Sequence, residues 1–252
     1  MNKKLSATLL GTMIASAPAW ADSCERLPGS ALLQSHLRNV VNVGSVPNGG
    51  LGFPMWLTLV DGSGRVCAVV TSLVGGDVTS DIWLGSRVIS AQKANTANAF
   101  STGALSLSTA NLYSAVQPGG SLFGLQESNP VDATAAYDGN AAQFGTPNDP
   151  LIGKRIGGIN VFGGGLTLYR NGKKVGAIGV SGDTSCTDHV VAYKVRSLLG
   201  LGAVPVFGNF DKMLQDITPN PAGGSGISAS GFGHPTCLNN PTPTNDGGSI
   251  VH

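Results

Sequence analysis

The hydrophobic positions of this 252-residue chain change period several times, and each change marks a predicted element. Leu33, Leu37, Val40 and Val41 recur at helical spacing, which predicts a first helix over 31–42, capped by Ser30 and stopped at Gly44. Two β-rich runs follow at 55–60 and 65–71, and Asp61-Gly-Ser-Gly64 between them is a hairpin signal. The alanine-rich stretch 81–101 reads as a longer helix, and 109–116 as a short one behind Ser108. Residues 125–155 carry turn residues with little periodicity and read as a long loop. A second hairpin pairs 165–169 with 175–180 around Asn171-Gly172. Ser185-Cys-Thr-Asp188 has the form of a capping box, launching a helix that runs to Leu199 and stops at Gly200. On that helix Val191, Val195 and Leu198 form the expected core stripe, while Cys186, His189 and Tyr193 face the other way. The tail, 203–252, is rich in Gly, Pro, Ser and Asn and reads as a strap over this helix rather than a second domain.

The N-terminus sets the compartment. Lys3 and Lys4 precede an apolar run over 5–17, and Ala19-Trp20-Ala21 supplies the small residues of a signal-peptidase site. Residues 1–21 are therefore expected to be a signal peptide, cleaved between Ala21 and Asp22, leaving a domain over 22–202 and the tail. The apolar run is shorter than the roughly 20 residues a membrane span needs, so the protein is expected to be periplasmic or secreted with no membrane span. Removing Lys3 and Lys4 leaves 13 basic against 14 acidic residues, a balance that steers the chain neither to nucleic acid nor to an anionic membrane. Glycine, at 37 residues, is about twice its ordinary share of ~7%, which points to turns and close backbone packing.

Cys186-Thr-Asp-His189 is mirrored by His234-Pro-Thr-Cys237. One reading is a Cys2His2 zinc site built from all four side chains. The other is a disulfide between Cys186 and Cys237 that brings His189 and His234 close. Four cysteines allow three pairings, and an oxidising compartment favours disulfides over thiolate ligands. The expected bridges are Cys186–Cys237, tethering the tail, and Cys24–Cys67, tethering the mature N-terminus. Catalytic signatures are weak: Ser90-Ala-Gln-Lys93 matches S-x-x-K but lacks its K-T-G companion and lies within a helix. Gly179-Val-Ser-Gly-Asp183 departs from the nucleophile elbow at its last position. There is no Walker motif, H-E-x-x-H or C-x-x-C-H.

Lys93 shares a helical face with Ile89, Thr96 and Phe100, and two readings stay open. Its stem runs past an apolar stripe to water, or its ammonium sits at the rim of a pocket for a carboxylate-bearing ligand. The glycine-rich segments 119–122, with Gly120 and Ser121, and 163–165, with Gly164, are places where backbone can approach such a ligand.

The hairpin MWLTLVDGSGRVCAVV, the helix SRVISAQKANTANAF, the segment GGSLFGL and above all GGGLTLYRNGKKVGAIGVSGD followed by a helix resemble the GlcG/HbpS-like family of haem-binding, also called haem-degrading, proteins. The C-terminal domain of PduO belongs to the same group. The resemblance covers about 30–200, with an insertion at 125–155 and the cysteine-bearing tail as departures. It implies an α+β, profilin-like sandwich with an antiparallel sheet of about five strands and packed helices, commonly homo-oligomeric. It also implies non-covalent binding of haem (haem b) in some members. His189, His234 and His36 are then candidate iron ligands, with the hydroxyls of Thr109 and Tyr113 as further ones. The function expected is an exported, non-catalytic binding protein for haem or a related small anionic ligand. Lys93 and Thr96 form one wall of its pocket, and the 119–122 and 163–165 loops another. The alternatives are an enzyme or accessory factor in small-acid or alcohol oxidation, and a structural assembly module.

Overall fold

The computed structural model describes residues 23–42, 44–205, 211–221, 223–224 and 226–252; the expected leader lies outside them. Helix α1 spans Ser30–Val41 and buries Leu33, Leu37 and Val41. Its cap is Gly29 rather than Ser30, and it closes on Asn42 in the left-handed conformation, two residues before the expected Gly44. The first hairpin forms as β1 (Trp56–Asp61) and β2 (Val66–Thr71). Helix α2 covers Gly85–Ala99, starting later than the alanine-rich pattern suggested. Helix α3 (Ala133–Tyr137) follows, then β3 (Gly165–Arg170), β4 (Lys173–Ser181) and α4 (Ser185–Leu198). The 109–116 stretch forms two 3-10 turns instead of one α-helix, the first locked by a reciprocal capping box between Ser108 and Asn111.

The main sheet has the order β2-β1-β4-β3 with every neighbour antiparallel, so the expected α+β class holds with four strands rather than about five. Both faces are covered. Alternate residues of the strands (Leu57, Leu59, Val70, Leu166, Ile178 and Val180) meet α1 and α4 through Leu33, Leu37, Val191 and Val195. The other set, including Trp56, Val60 and Ala177, meets Val88, Ala91 and Ala94 of α2. Gly179 explains the glycine-rich character of β4: a Cβ there would drive into the Ser90 carbonyl and the Ala94 amide of α2, so helix and strand touch backbone to backbone. Ser90 is spent on this contact. Its hydroxyl lies 2.7 Å from Thr58 Oγ1 and donates to the Arg87 carbonyl, which removes it from the S-x-x-K reading.

The 125–155 region was expected to be loop and contains α3 and short turns. It is pinned by an interaction that periodicity does not signal. Arg87, only 2% exposed, donates to both oxygens of Asp149 and to the Ala136 carbonyl, and packs 3.7 Å from the Phe144 ring centroid. The amides of Gly145 and Leu151 complete the Asp149 shell.

Helix α4 is capped by Thr184, whose side chain accepts from Thr187 N; the capping box proposed at Ser185–Asp188 is displaced by one residue. Val191 and Val195 are buried as expected, but Leu198 is 48% exposed and Tyr193 packs against the main core, because the stripe rotates towards α1 at this end. The tail forms two small ladders, β5 (Met213–Leu214) with β8 (Ile250–Val251) and β6 (Ile217–Thr218) with β7 (Ile227–Ser228). It lies on the outer face of α4, where Met213, Ile250 and Cys237 cluster with Ala110, Cys186 and Val190. Asp211 pairs with buried Arg196, and Lys194 donates to Asn48 Oδ1 and the Asn245 carbonyl.

Candidate functional site

Both expected disulfides are present, Cys24–Cys67 and Cys186–Cys237. The second has a chemical consequence. Ser185 precedes Cys186, and His234 lies three residues before Cys237, so the bridge brings a hydroxyl and an imidazole together across 49 residues of sequence. His234 Nε2 is 2.8 Å from Ser185 Oγ, and His234 Nδ1 is 2.7 Å from the Pro235 carbonyl. The Cys186 and Cys237 sulfurs and a His234 nitrogen lie within 4.8 Å of one another, but the disulfide consumes both sulfurs a zinc ion would need, and His189 is not in this group. His189 is fully buried beneath the tail, with Nε2 3.2 Å from the Ser249 carbonyl and Nδ1 without a hydrogen-bond partner among the described residues. Burial pushes both imidazoles down, to about 3 for His189 and about 4 for His234, so both are neutral at physiological pH.

The start of α4, the end of β4, α2 and the loop before β3 line an open cavity of about 310 Å³. Its walls include Trp83, Ile89, Lys93, Phe162, Ser185 and Asp188. Trp83 and Phe162, which both line it, are about half exposed. Lys93 lies on its floor, though neither reading of a solvent-reaching lysine describes it: it is 1% exposed and donates to Asp188 Oδ2 at 2.6 Å and to the Val180 carbonyl at 3.1 Å. Burial is the largest influence on both partners, pushing Asp188 up to about 6 and Lys93 down, while their mutual attraction opposes it. Asp188 Oδ1 also accepts the Asp183 amide, and the Asp183 carboxylate accepts the amides of Leu51 and Phe53, so this floor is tied to the loop before β1.

The remaining sequence-derived positions separate. Gly164 backs the ion pair, in the left-handed region at φ +115°, where a Cβ would crowd the Val180 carbonyl, Asp188 and Lys93. Gly120 and Ser121 line a different cavity of about 470 Å³, formed with Pro118, Ser230 and Phe232. Thr96 is buried and bridges the Gln92 carbonyl to the Asn160 amide, and Thr109 accepts the Gly165 amide. Tyr113 packs against the His234 ring at 5.2 Å between centroids. His36 stands on α1, which covers the sheet face opposite α2. Lys93 and Ser121 thus line separate cavities, and Thr96 and Thr109, held in structural hydrogen bonds, line neither. Trp83, Phe162, Ser185 and Asp188 escaped sequence reading. Only the S-C-T-D turn hinted that the start of α4 carries polar groups; Phe162 lies outside any periodic element, and Trp83 falls in the expected 81–101 helix but precedes its observed start at Gly85.

Residues 49–196 match the family described as Haem degrading protein HbpS-like. Over 112 residues, 44% of this chain, the sequence is 35% identical to an uncharacterized 15.0 kDa protein in the dhaT-dhaS intergenic region of Citrobacter freundii. That match spans 57% of the relative's own length. Among solved structures, Klebsiella pneumoniae ORFY has a TM-score of 0.45 and 23% identity, with 77% of this chain and 98% of that one covered. A PduOC:heme complex has a TM-score of 0.46 and 23% identity over 69% of this chain and 94% of its own. A double mutant of HbpS from Streptomyces reticuli has a TM-score of 0.43 and 14% identity over 78% and 99%. Because the family match covers more than half of the chain, this protein belongs to the HbpS-like family.

Proposed function

We propose that this is an exported haem-binding protein that receives haem b, or a comparably flat amphipathic anion, in the cavity between Trp83 and Phe162. The observation that carries the reading is that cavity: about 310 Å³, apolar at Ile89 and flanked by two half-exposed aromatic rings. Its volume is at the low end of small-molecule sites, ~300–1,000 Å³, so it would take up only part of a porphyrin. Lys93 is already paired with Asp188, so affinity rests mainly on contact between the ring and the apolar walls. Among the described residues no imidazole lines this cavity, and His234 stands one hydrogen bond behind it through Ser185. Bound haem would supply the iron chemistry, and Trp83, Ile89 and Phe162 would hold the ring and shield it from water. The family description supports haem as the ligand, and the two disulfides together with the N-terminal leader pattern support export.

Tryptophan emission tests this reading. Trp56 is buried and Trp83 is 51% exposed, so in protein lacking residues 1–21 haemin should quench a surface-type component saturably at micromolar concentration. Covering roughly 50 Å² of Phe162 at ~25 cal/mol per Å² contributes about 1.2 kcal/mol, so Phe162→Ala should weaken binding about fivefold to tenfold. Unsaturable quenching, or a Phe162→Ala affinity equal to wild type, overturns the assignment.

A further inference from the structure

The contact between Ser185 and His234 has a defined direction. His234 Nδ1 lies 2.7 Å from the Pro235 carbonyl, an acceptor, so Nδ1 carries the ring proton. In the neutral ring Nε2 then presents a lone pair, and the Ser185 hydroxyl must donate to it at 2.8 Å. The Gly163 amide donates to Ser185 Oγ at 2.6 Å and fixes the hydroxyl from the other side. A hydroxyl donating to an imidazole whose second nitrogen is held by a third group is the arrangement that activates a serine nucleophile. The fold adds two features. The Cys186–Cys237 bridge clamps both partners, with Tyr113 against the His234 ring. Ser185 lines the apolar cavity, whereas His234 lines a separate cavity of about 280 Å³ with Gln215, Ile217 and Pro235, which gives water a route to the imidazole.

We propose that Ser185 is a nucleophile, with His234 as its general base, and that it cleaves carboxylic esters whose apolar acyl chain occupies the cavity walled by Trp83, Ile89 and Phe162. Ser185 Oγ adds to the ester carbonyl while its proton passes to His234 Nε2. The bond from carbonyl carbon to alcohol oxygen breaks, and the alcohol leaves with the proton from Nε2. Water then attacks the acyl-serine, giving its proton to Nε2; Ser185 recovers a proton as the carboxylic acid is released. No oxidant or metal enters the balance. The activity goes beyond haem binding and does not rest on it.

The test uses the disulfide-intact protein without haemin and an alkyl fluorophosphonate, in which Oγ forms a bond to phosphorus and fluoride departs. Intact mass should show one adduct, and peptide mapping should place it on Ser185. The rate should be on the order of 100-fold above that of any other hydroxyl in the chain, the scale of general-base assistance. Ser185→Ala should lose the adduct while keeping both disulfides. No adduct, or an adduct elsewhere that survives Ser185→Ala, overturns the proposal. Folded His234→Gln should label on the order of 100-fold more slowly, and a wild-type rate in that variant overturns the base role. Because His234 is buried and its replacement risks misfolding, labelling of wild type is also run in deuterium oxide. A slower rate there supports proton transfer in the step, and an equal rate refutes it. Haemin quenching of Trp83 is read separately, so the two assignments fail independently.

Discussion

Acidifying the protein from pH 6 to pH 4 should cost it stability, and the size of the loss follows from three buried groups. His189 and His234 are held neutral by burial, at about 3 and about 4 against an ordinary 6.5. Their lowered values mean that the unfolded chain binds the protons first, so their contribution is present above pH 6.5 and drains away as pH falls towards 4. Over pH 6 to 4 this amounts to roughly 2 kcal/mol for each histidine. Asp188 acts in the opposite sense: burial raises it from 3.8 to about 6, so the folded state takes up a proton that the unfolded chain does not. It therefore returns about 2 kcal/mol over the same interval. The lowered carboxylates Asp61, Asp77, Asp138 and Asp216 act mainly below their ordinary 3.8 and enter little here. The net loss is about 2–3 kcal/mol, equivalent to roughly 5–10 °C in Tm for a domain of this size. Urea melts at pH 4, 5 and 6 measure it directly. His189→Leu removes one of the two opposing histidines, leaving His234 and Asp188 nearly balanced, so that variant should be close to flat with pH. A wild type as flat as the variant, or one that gains stability on acidification, refutes the reasoning.

Three further outcomes follow from the packing. Replacing Cys186 and Cys237 together by Ser should lower stability by up to about 4 kcal/mol, the chain-entropy value for a bridge with sequence separation 51, measured by thermal melting with and without reductant. Gly179→Ala should cost roughly 1–3 kcal/mol by forcing α2 off β4, read as a lower urea midpoint with an unchanged slope. Asp149→Ala strands the buried Arg87 guanidinium and should cost roughly 3–5 kcal/mol, with limited proteolysis appearing first within 125–155.

What was legible in the sequence was whatever depends on local period or on cysteine count. Both hairpins, α1, α2 and α4 followed from apolar spacing and turn residues, and both disulfides from four cysteines behind a leader pattern. Caps were displaced by a residue because Gly29 and Thr184 compete with equally plausible serines next to them. The ion pairs were invisible. Lys93 and Asp188 are 95 residues apart, Arg87 and Asp149 62, and no short pattern marks a charge that will be buried. The site is the least legible part: the helical face of Lys93 shows an apolar stripe, but its carboxylate partner, Asp188, comes from within the chain. The hydroxyl facing the cavity, Ser185, was read only as a helix cap.

Haem entry between Trp83 and Phe162 is tested by a haemin absorption titration of wild type beside Ile89→Trp, which fills the cavity from its α2 wall. Wild type should give a saturable Soret change at micromolar haemin, and Ile89→Trp, with its disulfides and melting temperature retained, should give none. A wild type without a saturable change contradicts haem binding, and an Ile89→Trp variant that titrates like wild type places the ligand elsewhere.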